Sequence, residues 1–185
     1  MVTDASAIGL HPSRPEGPER HVLGLFHHEM GQMTPDFHQS LRTHEFLRGL
    51  TESQIHELSH AATEVIFEPL EEILAEGQRS SAFYLLISGS VAVELRTPLY
   101  GICVEALGPG DVFGWSSLLD RQDTLFEVRA REHTTALCLD GDVLKGLLRR
   151  DPVLGVEFLQ RTLRVVAGRV KATERRFAEM CGIRV

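Results

Sequence analysis

G-P-G-D-V-F-G-W-S-S-L-L, from Gly108 to Leu119, with E-V-R-A from Glu127 to Ala130 after it, is the stretch on which the fold turns. A glycine-rich turn leads into Phe113-Gly114 and then into a short run able to start a helix. Such a turn aims backbone N–H groups at one point, which is how a chain cradles a phosphate without a large basic patch.

On either side of this block the hydrophobic period is two. Val65/Phe67, Phe83/Leu85/Ile87, Val91/Val93/Leu95, Ile102/Val104/Ala106, Phe126/Val128/Ala130 and Thr135/Leu137/Leu139 alternate with polar partners, as half-buried strands do. Glu76-Gly77, Ser88-Gly89, Thr97-Pro98 and Gly108-Pro109-Gly110 punctuate them. Many short strands between Gly/Pro turns predict a sandwich or jelly roll. Before them, Thr51-Glu52-Ser53-Gln54 reads as a capping box opening a helix with Ile55, Leu58, Ala61 and Ala62 on one face. Upstream lies a segment of helical spacing with Leu23, Phe26, Met30, Phe37 and Leu41, broken near Thr34-Pro35. Residues 1–20 are rich in Pro, Gly and polar types and read as a flexible tail.

The strand region is followed by helices. Asp140 is placed to cap a short one carrying Val143, Leu144, Leu147 and Leu148, and Asp151-Pro152 to open a second. In the second, Val156, Leu159, Leu163, Val166, Val170, Thr173, Phe177 and Met180 follow one another in steps of three and four. That is a coiled-coil seam, on a helix about 43 Å long at 1.5 Å per residue. A seam so narrow and long predicts a homodimer, with Leu159, Leu163, Val166, Val170 and Phe177 in the interface. Thr173 is its one hydroxyl.

Residues 44–180 resemble the cyclic-nucleotide-binding domains of the Crp–Fnr superfamily, in F-L-R-G-L-T from Phe46, F-Y-L-L-I-S-G-S-V-A-V from Phe83 and the Gly108–Ala130 block. The resemblance implies an α+β, mainly β fold. It would be a double-stranded β-helix jelly roll with flanking N-terminal helices and a long C-terminal dimerisation helix. The expected boundaries are an N-terminal helical segment at 21–62, the β-roll at 63–140 and C-terminal helices at 141–181, with the dimerisation helix at 152–180. It also implies a phosphate-binding cassette, here Gly114, Trp115, Ser116, Ser117, Arg121 and Thr124, and a contact from Thr173 across the dimer. Two side chains depart from the family pattern. Its F-G-E segment supplies a Glu for the ribose, where this chain has Trp115; its R-[ST]-A-x-V-R-A segment supplies an Arg for the cyclic phosphate, where this chain has Thr124.

Losing a charge-assisted Arg–phosphate contact costs roughly 1.5–3 kcal/mol, and losing the Glu contact about as much again. The product is on the order of 10²- to 10⁴-fold in affinity. Cyclic AMP and cyclic GMP are therefore expected to bind weakly or not at all. Two readings of the cassette stay open: a turn kept for the fold, with Trp115 filling an emptied pocket, or a pocket recast by Ser116, Ser117, Arg121 and Thr124 for another ligand. Arg129 and Arg131 alternate with Val128 and Ala130, so they are expected in solvent.

Composition narrows the function. A formal net charge of −7 weighs against a nucleic-acid-gripping surface, and only a few residues follow the long helix where the transcription factors carry a helix-turn-helix, so direct DNA binding is not expected. No apolar run approaches the roughly 20 residues of a membrane span, and the N-terminus lacks a secretory pattern. Cys103, Cys138 and Cys181 are few and far apart, which suggests a reducing cytoplasm. His56 and His60 are spaced i, i+4, and His27-His28 lie upstream, but no Cys or arranged carboxylate accompanies them as a metal site requires. His133 alone lies in the strand region, against a metal-dependent cupin enzyme, and no Ser-His-Asp, Cys-His or P-loop pattern is present. The expectation is a non-enzymatic regulatory or sensor domain with no catalytic or metal residues and no cofactor, binding an unknown small molecule or protein as a homodimer. The alternatives are a genuine cAMP/cGMP receptor with a compensated pocket and, from another class, a cupin-like enzyme.

Overall fold

A computed structural model describes residues 35–96, 101–119, 123–124 and 126–183. The expected tail, Leu23, Phe26, Met30, His27, His28, the Thr97-Pro98 turn and Arg121 lie outside these residues.

Eight strands form two four-stranded antiparallel sheets. The first has the order β1 (Ala62–Phe67), β8 (Thr134–Asp140), β3 (Ala82–Ser88), β6 (Val112–Phe113); the second has β2 (Glu72–Leu74), β7 (Glu127–Ala130), β4 (Val91–Arg96), β5 (Gly101–Leu107). Helices flank this jelly roll: α1 (Pro35–Thr43), α2 (Glu52–Ser59), α3 (Gly141–Arg150) and α4 (Pro152–Met180).

Two cores result. Phe67, Tyr84, Leu86, Val91, Phe113, Val128 and Ala136 fill the space between the sheets. Phe83, Leu85, Leu137 and Leu139, on the opposite face of β3 and β8, pack with Phe37, Leu41, Phe46, Leu144, Leu154 and Phe158. The expected apolar–polar alternation therefore fails at β3 and β8, where both faces are buried because helices cover the outer one. Phe46, Phe83 and Phe158 meet with ring centroids 5.1–5.4 Å apart, fastening α4 to the first sheet. Arg161 adds a staple, donating to the carbonyls of Phe46 and Arg48 at 2.6 and 2.7 Å.

The caps follow the sequence. Thr51 and Gln54 form both bonds of the capping box, Asp140 accepts from Asp142 and Val143 N–H, and Asp151 accepts from Val153 and Leu154 N–H. Four details differ from expectation. Helix α2 stops at Ser59, so Ala61 lies beyond it and Ala62 opens β1. Val143 is exposed, turned away from the core that buries Leu144 and Leu147. In β5, Val93 faces Glu105 while Glu94 faces Cys103, so Val104 is an extra residue, a bulge that leaves Ile102 exposed. Arg129 is not solvated: its guanidinium engages Glu127, a carboxylate only 2% exposed, and Glu72 at 3.2 Å, while Arg96 closes on Glu127 at 2.7 Å. Burial, with Glu127 beside it, raises the Glu72 pKa against the pull of Arg129.

His44, which no motif singled out, is buried where the helices meet the roll. Its Nδ1 accepts from Phe46 N–H at 3.2 Å, so the proton sits on Nε2, which donates to the Leu86 carbonyl at 3.0 Å. Both ring nitrogens are satisfied by a neutral imidazole alone.

Candidate functional site

Where α4 crosses the second sheet there is a cavity of about 480 Å³. Leu74, Val93, Val104, Glu105 and Val128 line it from the strands, Phe113 to Ser116 from the cassette, and Asp123, Thr124 and Phe126 from the segment before β7. Val166, Arg169, Val170, Thr173 and Glu174 of α4 complete it. The β5 bulge matters here, because it lets the successive residues Val104 and Glu105 both reach the cavity.

Gly114 makes the cassette turn. Its φ of 75° is left-handed, and a Cβ there would lie 2.3 Å from the Ala82 carbonyl oxygen, so a side chain is excluded both by conformation and by contact. The 3-10 turn that follows, Trp115–Leu118, brings half-buried Trp115 and buried Ser116 to the cavity wall. Ser117 does not join them. It is buried under the start of α3, with its Cβ 3.0 Å from where a Gly141 Cβ would stand, and its hydroxyl has no hydrogen-bond partner among the described residues. It is not among the described lining residues of the cavity, since a 3-10 turn brings only some of its side chains to one side.

Thr124 lines the cavity, but its hydroxyl is committed elsewhere. It donates towards the carbonyls of Ala75 and Gln78, at 2.8 and 3.1 Å. Backbone bonds Thr124 N–H to Gln78 O and Gly77 N–H to Thr124 O tie the same two segments together. The residue at the family's arginine position thus closes a turn, and a hydroxyl lone pair is all it offers a ligand.

Helix α4 supplies what sequence reasoning passed over. Arg169, 20% exposed, sets its Nε 3.1 Å from a Glu105 carboxylate oxygen and donates from Nη2 to Val112 O at 2.6 Å. Burial pulls its guanidinium below the ordinary value, opposed by the Glu105 and Asp111 carboxylates. Further along, Arg176 donates to Val104 O. Thr173 lines the cavity, with its hydroxyl turned back onto Arg169 O at 2.9 Å, a common helical i−4 bond. Arg169 and Thr173 lie four residues apart on α4, and that spacing was the available signal.

The faces of α4 divide as helical geometry requires. Leu154, Gly155, Phe158 and Thr162 are buried against the roll, whereas Leu159, Leu163, Val170 and Phe177 are 50–68% exposed. Val166 is half-buried and faces the cavity, so it belongs to the pocket wall as well as to the seam.

Residues 64–151 match the family model of the cyclic nucleotide-binding domain. That segment is matched as a cyclic nucleotide-binding domain. Among curated relatives, a CRP-like cAMP-activated global transcriptional regulator of Mycobacterium tuberculosis is 27% identical over 72% of this chain and 58% of its own length. A cGMP-dependent protein kinase of Eimeria tenella is 28% identical over 60% of this chain and 11% of the kinase. The chain thus spans less than two thirds of the curated relatives it matches. Among solved structures, a cyclic nucleotide-binding domain from Methylobacillus flagellatus has a TM-score of 0.69 at 20% identity, covering 78% of this chain and 84% of that one, a likeness of fold. The regulatory subunit of a cAMP-independent protein kinase A from Trypanosoma brucei is 26% identical, with a TM-score of 0.58, over 68% of this chain and 45% of that one. A variant of that subunit, with a threonine replaced by arginine and two further substitutions, was solved with cAMP in its A site. At the end of α2, His56 and His60 sit edge to face with centroids 4.9 Å apart, and no group of three or more potential metal ligands occurs among the described residues. Nor is any helix among them long and apolar enough to cross a membrane.

Proposed function

We propose that the chain is a non-enzymatic regulatory domain of cyclic-nucleotide-binding type whose cyclic-phosphate grip is lost, acting as a homodimer that responds to a small ligand or protein partner. One observation carries it: Thr124, at the arginine position, spends its hydroxyl on the Ala75 and Gln78 carbonyls and presents no positive charge to the cavity. The cavity's one guanidinium among the described lining residues, Arg169, is already held by Glu105 and Val112. An entering phosphate would have to break that pair. The exposed apolar seam of α4 supports the dimer, because Leu163 and Phe177 are two-thirds exposed and apolar on one face. A cytoplasmic setting fits the three free cysteines, and the net charge of −7 weighs against DNA as the direct partner.

Titration calorimetry with cAMP and cGMP tests the proposal. Dissociation constants weaker than about 100 µM are expected, in line with the lost contacts. A micromolar constant for either would establish the alternative, a genuine receptor with a compensated pocket. Thr124→Arg with Trp115→Glu should then raise cAMP affinity by at least about tenfold. The threonine-to-arginine change in the cAMP-bound trypanosomal variant makes this an apt repair.

A further inference from the structure

The cavity that has lost its phosphate grip has a charge of its own. Its described lining includes three carboxylates, Glu105, Asp123 and Glu174, against the single guanidinium of Arg169. Glu105 and Arg169 neutralise each other at 3.1 Å, so Asp123 and Glu174 leave the described wall net negative. Both of these acids are exposed, which places their charge on the solvent side. The rest of the wall is largely apolar and includes three aromatic rings, Phe113, Trp115 and Phe126.

These two features specify two parts of one molecule. A planar ring system is satisfied by stacking on Trp115 or Phe126 and by burying its area against Val166 and Val170, since flat apolar surfaces gain most from such contacts. A polar group that reaches the solvent side then meets Asp123 or Glu174. A negative group is repelled by their summed charge, and a positive one is attracted by it and also gains from neighbouring aromatic faces. The geometry points to a pocket selective by charge: it takes planar aromatic ligands with a cationic or uncharged head and rejects anionic ones. Resting on the reading of the cavity as a small-ligand site, this names the class of ligand for it.

A charge series on one ring tests the inference. 2-Naphthylmethylamine, 2-naphthalenemethanol and 2-naphthoate share a bicyclic body and carry positive, zero and negative charge at neutral pH. Calorimetry on the whole chain should give affinity in that order, with the carboxylate about tenfold or more weaker than the ammonium at low salt. In the Asp123→Asn, Glu174→Gln double variant the two charged probes should converge while the alcohol keeps its affinity. Both side chains are exposed, so the variant is expected to fold, which circular dichroism checks. The inference is overturned if the carboxylate binds as well as the ammonium, if the preference survives the double variant, or if none of the three binds. Failure of the broader proposal has a different signature, micromolar binding of cAMP or cGMP by the unaltered chain.

Discussion

Arg169 on α4 and Glu105 on β5 face each other at 3.1 Å along the cavity wall, and the same guanidinium reaches Val112 O on β6. One side chain thereby joins the long helix to both sheets. Removing Glu105 leaves a largely buried cation without its carboxylate, which costs more than a surface pair would. Glu105→Gln should destabilise the fold by about 1–3 kcal/mol in urea melts. Hydrogen exchange in the second half of α4 should rise with it. An unchanged midpoint and unchanged exchange would show that the pair holds nothing in place.

Dimerisation is best tested away from the pocket. Val166→Glu would place a charge against both the seam and the cavity wall, whereas Leu163 is 66% exposed and faces only outward. Leu163→Glu should therefore leave the fold and its melting temperature nearly intact while converting dimer to monomer in light scattering. A monomeric unaltered chain at micromolar concentration would remove the basis for the dimer.

Burial lowers the His44 pKa, partly opposed by its bond to Leu86 O and by the Asp111 and Glu45 carboxylates. The unfolded chain takes up this proton near the ordinary value of about 6.5, the folded chain only at lower pH. Between those values the unfolded state binds more protons, so stability falls as pH drops through that window and is complete above it. The unfolding free energy should decline from pH 7.5 to 5.5, and His44→Gln should flatten part of that slope. An identical slope in the variant would assign the loss to other groups.

Ser117 offers the reverse case, a buried hydroxyl with no partner among the described residues. Ser117→Ala removes a desolvated group without opening a large void and should be neutral or stabilising by up to about 1 kcal/mol. It should leave ligand binding unchanged. A marked loss of stability would reveal a hydrogen bond to Ser117 that the described residues do not supply.

The sequence by itself determined the architecture and most of its punctuation. The caps at Thr51, Asp140 and Asp151 and the turn at Gly114 depend on local chemistry, a side-chain oxygen beside orphan N–H groups or a left-handed φ, and local chemistry is written in neighbouring residues. Periodicity likewise located six of the eight strands and the seam of α4, since one face of an element must be apolar to be buried; β2 and β6, three and two residues long, are too short to show a period. It could not tell that β3 and β8 are buried on both faces, because that depends on which helices return over them. The site divides along the same line. Trp115 and Thr124 were legible because the motif fixes their places, yet only the fold showed Thr124 bonding to residues more than forty positions away. Glu105 enters the cavity through a bulge and Arg169 through the path of α4, and neither leaves a periodic trace. Which charges face one another across a cavity is decided by tertiary structure, because it depends on distances between segments that the chain order does not encode.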